Sequence, residues 1–125
     1  MNTLEAFKHA YQELGDALLK HVSLAYAQQN QPQITVVLEC WSFIAEEWVY
    51  LEMRFSGVQE FRLLSNERYC LTVVTNCETN QFGNVVVFDF IPFRLGATTL
   101  AEHRESLFYI ACTTFSCQEI KWSKG

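Results

Sequence analysis

Three carboxylates stand inside strand-like runs of this 125-residue chain: Glu39, Glu52 and Asp89. Two such groups facing a cleft can do acid–base chemistry if their surroundings push their pKa values apart. For Glu39 and Glu52 the ordinary explanation is a solvent-facing side chain paired with Arg54 or Arg62, since cross-strand ion pairs are common and weak. Asp89 is harder to dismiss. It lies between Phe88 and Phe90 and alternates with Val87 and Ile91. A carboxylate in that company is either buried against a donor such as Arg62 or Arg94, or it belongs to a site. His103 is the one histidine beyond the N-terminal segment, and an apolar pocket between helix and sheet is where Asp89 and His103 would meet.

A second group suits binding rather than catalysis. Glu46 and Glu47, with Glu60 and Glu67 in neighbouring turns, would form an acidic rim at one end of a sheet. Trp48 and Tyr50 share a strand side with Glu52, and Trp41 lies nearby. Exposed aromatics beside carboxylates anchor a partner while the charge steers it. The plainer explanation is a solvated surface, with the aromatics packed under the N-terminal helix.

Other chemistries lack their signatures. Cys70 and Cys77, and Cys112 and Cys117, are spaced too widely for a zinc knuckle, and the histidines are scattered. The cysteines read as small buried apolar residues. A nucleophilic thiol needs a neighbouring base, and nothing places one beside a cysteine. The chain has no phosphate-binding glycine loop, GxSxG elbow, HExxH or dinucleotide fingerprint. No metal or cofactor is therefore expected.

The elements that must hold these residues follow from periodicity. Leu4, Phe7, Tyr11, Leu14, Leu18, Val22 and Ala25 recur at helical spacing and predict one long amphipathic N-terminal helix. Asn2 and Glu5 fit a capping box, Gly15 weakens the helix middle by about 1 kcal/mol, and Pro32 ends the segment. Residues 34–43 read as a strand, and 45–47 as the turn after it. Residues 48–55 then alternate strictly, with Val49, Leu51, Met53 and Phe55 on one side. Ser56-Gly57 interrupts as a hairpin turn or a bulge. Beyond it come a turn at 65–68, a strand over 69–75, a loop over 76–84 and a strand at 85–91 apolar enough to be buried on both faces. Residues 100–105 are a helical turn or a polar excursion. A closing hairpin is expected around Thr114-Phe115-Ser116. The gaps are too short for parallel crossovers. The predicted fold is α+β: one domain over 1–125, with a long helix on a mainly antiparallel, curved sheet of about seven strands.

Composition narrows the partner. Half the residues are hydrophobic and the formal net charge is −5, which excludes disorder and opposes nonspecific nucleic-acid binding. No apolar run approaches the roughly 18 residues of a membrane helix. The N-terminus lacks an apolar signal core and the five cysteines are odd in number, so a reducing cytoplasmic location is expected.

Phe55-Ser56-Gly57-Val58, Phe61-Arg62 and the stretch from Phe108 to Trp122 resemble small bacterial immunity proteins encoded beside polymorphic or contact-dependent toxins. The resemblance covers about half the chain and transfers no catalytic residue. It implies a cytoplasmic, non-enzymatic protein that binds and neutralises a cognate toxin, a basic domain in view of the acidity here. Two other readings stand beside it: a small-ligand-binding or enzymatic domain using Asp89 and His103, and a homodimeric adaptor or structural protein rather than a monomer.

Overall fold

The computed structural model describes residues 1–26, 31–63, 73–74 and 76–122. In chain order the elements are α1 (Leu4–Tyr11), β1 (Ala17–Tyr26), β2 (Pro32–Ser42), β3 (Glu47–Leu63), β4 (Val73–Val74), β5 (Glu78–Phe82), β6 (Val85–Asp89), α2 (Leu100–His103) and β7 (Phe108–Ile120). The seven strands form one sheet in the order β4-β1-β2-β3-β7-β6-β5. Every described pairing is antiparallel, and the sheet curls into a half-barrel. The turn expected at 65–68, with Glu67, lies outside the described residues, as does Cys70. Of the strand expected over 69–75, β4 is the described part.

The long N-terminal helix is corrected. α1 is only 8 residues long, and its N-cap is Thr3, whose Oγ1 accepts from the Ala6 amide, rather than Asn2. The chain breaks at 12–16, where Gln12, Leu14 and Asp16 all adopt positive φ. Three left-handed residues so close together cannot continue a right-handed helix. Ala17 onward then pairs with β2, from Leu18↔Glu39 to Tyr26↔Pro32. Leu4, Phe7, Tyr11 and Leu14 do face the core, but Leu18, Val22 and Ala25 owe their spacing to no helix.

Strand alternation in β2 and β3 holds. Ile34, Val36, Leu38 and Cys40 point inward, opposite Phe55, Met53, Leu51 and Val49. Phe7, Ala10 and Tyr11 of α1 cover this face, and Phe88 is the hub of its aromatic packing. The Phe88 ring meets Phe7, Phe55 and Phe115 edge-on at centroid distances of 5.3, 5.2 and 4.8 Å. Edge-to-face contacts of this kind suit the ring quadrupoles.

Pairing with β3 decides one open alternative and corrects another expectation. Of the two alternatives at Ser56-Gly57 the structure takes the bulge: β3 continues for 17 residues, and the register slips between Val58 and Glu60, opposite Cys112 and Ala111. Gly57 has φ +61° and lies against Thr113, so a side chain there would be both strained and blocked. The closing hairpin around Thr114-Phe115-Ser116 is absent. β7 runs as one strand because β3 supplies an equally long partner, from Leu63↔Phe108 to Tyr50↔Ile120. The expected loop over 76–84 likewise contains β5, which turns into β6 through Gly83-Asn84.

At the β5–β6–β7 end the outer face is covered as well. Val87, Asp89, Tyr109 and Ala111 lie on the opposite face from the Phe88 side, yet all four are buried. The connection between β6 and β7, with α2, folds back over them.

Candidate functional site

Two arrangements carry polar chemistry, one sealed and one open. The sealed one contains Asp89 and His103. The structure brings them together as the pocket reading required: His103 Nδ1 lies 2.8 Å from Asp89 Oδ2. They do not line a cavity, being 0% and 1% exposed for His103 and Asp89 respectively. The donor expected from Arg62 or Arg94 is thus a histidine, and Arg94 pairs instead with Glu105.

The network fixes the histidine tautomer. Asn80 Nδ2 donates to the Ala97 carbonyl at 2.8 Å and lies 2.7 Å from His103 Nε2. Turning the amide over would set its oxygen against that carbonyl, so Nδ2 must face both groups. Nε2 therefore accepts, and Nδ1 carries the proton donated to Asp89. Ser106 Oγ also donates to Asp89 Oδ2, at 2.5 Å, and accepts from the Phe93 amide at 3.0 Å. These bonds tie the β6–β7 connection to the sheet at Phe93, Ala97 and His103. What the bonds do is position the connection: His103 and Asp89 are both sealed from water. Asn80 and Ser106 had no signal in the sequence, because their partners are distant in the chain.

The four described cysteines are equally withdrawn. Burial pushes the thiols of Cys40, Cys112 and Cys117 up to about 12, and that of the fully buried Cys77 well above its ordinary value. Thiolates form only sparingly under such desolvation, so these groups pack rather than react. Among the described residues no three His, Cys, Asp or Glu side chains group as metal ligands.

The open arrangement is at the other end of β3. The β2–β3 hairpin turns through 43–46, with the Ser42 carbonyl accepting from Glu46 and Ser42 Oγ from Ala45. This turn exposes Phe43, Ile44 and Trp48 to 46%, 63% and 52%. Trp48 packs edge-on against Trp41 at 5.8 Å. Opposite stands the 12–16 segment, which follows directly on α1, and α1 is joined to the hairpin by the hydrogen bond from Phe43 N to the Ala10 carbonyl. Between them lies a groove of about 300 Å³ with Tyr11, Leu14, Trp41, Phe43 and Trp48 in its wall. Glu13 and Asp16 border it, and Glu46 and Glu47 are exposed on the hairpin immediately before Trp48.

The predicted acidic rim therefore divides. Glu46, Glu47 and Trp48 lie at the hairpin, and Trp48 is exposed there rather than packed under α1. Tyr50 and Glu52 follow on the outer face of β3, where Glu52 accepts from Arg54 at 2.9 Å and Gln118 at 3.1 Å. Glu60 belongs elsewhere: β3 is 17 residues long, about 55 Å of contour at roughly 3.3 Å per residue, and Glu60 is near its far end. Both its oxygens accept from Arg104, at 2.8 and 3.0 Å, and Tyr109 donates a third bond. Hydrogen bonding by Arg104 holds the Glu60 carboxyl below the usual range. Glu13 and Asp16 replace it at the groove. The helix reading had hidden them by placing both on a helix surface.

No family model, curated protein or solved structure matches the chain. Among the described residues no helix is long and apolar enough to cross a membrane.

Proposed function

We propose that this is a non-enzymatic binding protein that docks a basic protein partner on the groove between the 12–16 segment and the β2–β3 hairpin. The partner is a toxin domain, which the protein neutralises by occlusion in the cytoplasm, the role implied by the resemblance to immunity proteins. The observation that carries the docking surface is the exposure of Phe43, Ile44 and Trp48 together beside four carboxylates, Glu13, Asp16, Glu46 and Glu47. Large apolar side chains are costly to leave in water, and an aromatic cluster with an acidic border matches a partner with an apolar anchor and cationic surroundings.

The test combines capture with kinetics. Tagged protein is used to capture its partner from the native host, and the purified pair is then measured with variants. Trp48→Ala should weaken binding by about 2 kcal/mol or more, as for a buried aromatic anchor. Replacing Glu46 and Glu47 together by Lys should slow association and flatten its salt dependence. A stoichiometric partner whose affinity and association rate survive both changes would remove this surface from the function.

A further inference from the structure

The geometry points to a second subsite, a slot for a guanidinium group at the free edge of β5, which takes an arginine side chain of the same partner. This rests on the docking reading above and adds to it the chemistry of one partner residue.

β5 is the last strand of the sheet. Residues 76–80 line one wall of a cleft of about 470 Å³ along its free edge, with Gln12 and Glu13 across from them. The two-residue connection Gly83-Asn84 makes Phe82 and Val85 the closing pair of the β5–β6 hairpin. Asn80 and Glu78 therefore turn their backbone groups toward β6, while Cys77, Thr79 and Gln81 turn theirs away. The Cys77 amide does donate outward, to the Glu13 carbonyl at 2.6 Å. The Thr79 carbonyl faces the same way and opens toward the cleft.

The wall is rich in acceptors. Glu78 Oε1 accepts from the Gly96 amide at 2.6 Å, but Oε2 is buried with no hydrogen-bond partner among the described residues. Thr79 Oγ1 is buried and unpaired in the same sense. Buried polar atoms in folded proteins are normally satisfied, so these two unpaired oxygens, one on each face of β5 where the cleft wraps its edge, call for donors. Among the described residues two carboxylates, Glu13 and Glu78, border the cleft against one cation, Lys8, which leaves this wall acidic. The acceptors straddle the strand edge, Glu78 on one face and Thr79 on the other with the Thr79 carbonyl between, instead of converging on a point. A planar fork with five N–H donors spans such a row, whereas an ammonium offers three donors at one centre.

The slot is also in the right place. Gln12 and Glu13 line both this cleft and the aromatic groove. The 12–16 segment is thus a ridge between two depressions, held in left-handed conformations at Gln12, Leu14 and Asp16. A partner segment that sets an apolar side chain against Trp48 can lay an arginine across the ridge into the slot.

The probe is N-acetyl-arginine amide, titrated into the labelled full chain and followed by amide NMR, with the uncharged N-acetyl-citrulline amide as control. Saturable shifts at Thr79 and at the Asn76 and Asn80 side-chain amides, absent with citrulline amide and leaving the Trp48 indole unmoved, are expected. Glu78→Gln keeps an acceptor for the Gly96 amide and should retain the fold by its spectrum, yet weaken the probe roughly tenfold, as expected for the loss of a charge-assisted contact. Absence of saturable shifts at those residues overturns the slot, and so does an undiminished affinity in Glu78→Gln. Either result leaves the hairpin groove to be judged on Trp48→Ala with the captured partner, so the two readings fail separately.

Discussion

Glu52 and Asp89 occupy equivalent places and lead opposite lives. Each is a carboxylate on the outer side of a strand in the same antiparallel sheet. Glu52 lies away from the β6–β7 connection, keeps part of its side chain in contact with water, and pairs with Arg54 and Gln118. Asp89 lies where the β6–β7 connection returns across the sheet, and it is sealed with His103 and Ser106. The alternation of side chains is the same at both ends. What differs is whether the β6–β7 connection lies over the carboxylate, and that decides whether it is sealed into a buried network or left part-exposed with surface partners.

The largest effect should separate these two acids. Asp89→Ala leaves the His103 N–H and the Ser106 hydroxyl buried without an acceptor and should cost about 3–5 kcal/mol, whereas Glu52→Ala should cost under about 1 kcal/mol. Denaturant unfolding measures both, and equal losses would break the comparison. Asp89→Asn, which keeps an acceptor oxygen, should fall between them.

A backbone change comes next. Gly57→Ala forces a side chain into a left-handed conformation and against Thr113, for a loss of about 2–3 kcal/mol. Adding Thr113→Ala should restore only the steric part, because the backbone strain at φ +61° remains.

The sealed interior can be probed without altering its shape. With Cys70 replaced by Ser, a thiol reagent near pH 8 should label Cys40, Cys77, Cys112 and Cys117 only as fast as the protein opens, since burial holds their protons. Rapid labelling of folded protein would show that this core is more accessible than its packing. On the open side, Trp48→Ala should change stability by less than about 1 kcal/mol while removing partner binding, a split that a core residue such as Phe88 cannot give.

The smallest effect belongs to Glu60 and Arg104. The Glu60 carboxyl is lowered in the folded state, so its contribution is present above the ordinary glutamate value of 4.5 and is lost as pH falls through the lowered one. Its exposure keeps the contribution small. Wild type and Glu60→Gln should differ slightly at neutral pH and converge in thermal melts taken below that window.

Some of this was legible in the residues alone. The alternation of β2 and β3 dictated their inner faces, because a strand repeats every two residues and one side must leave water. The hairpin cluster of Glu46, Glu47 and Trp48 followed from the turn between them. The 17–26 segment was not legible. Its apolar residues at three- and four-residue steps suit a helix, but pairing with β2 along ten residues outweighs a weak local propensity. β7 likewise read as two short strands until β3 provided one long partner.

The sequence by itself determined an antiparallel sheet with an aromatic core, since periodicity and short connections are local properties. Only the tertiary structure decided which acids face water. Asp89 meets His103 and Ser106, with Asn80 on the far side of the imidazole, and Glu13 and Asp16 border a groove shared with the β2–β3 hairpin, through chain reversals that bring distant segments together. No local pattern records those contacts, because the free energy that selects them resides in pairing and burial between residues far apart in the chain.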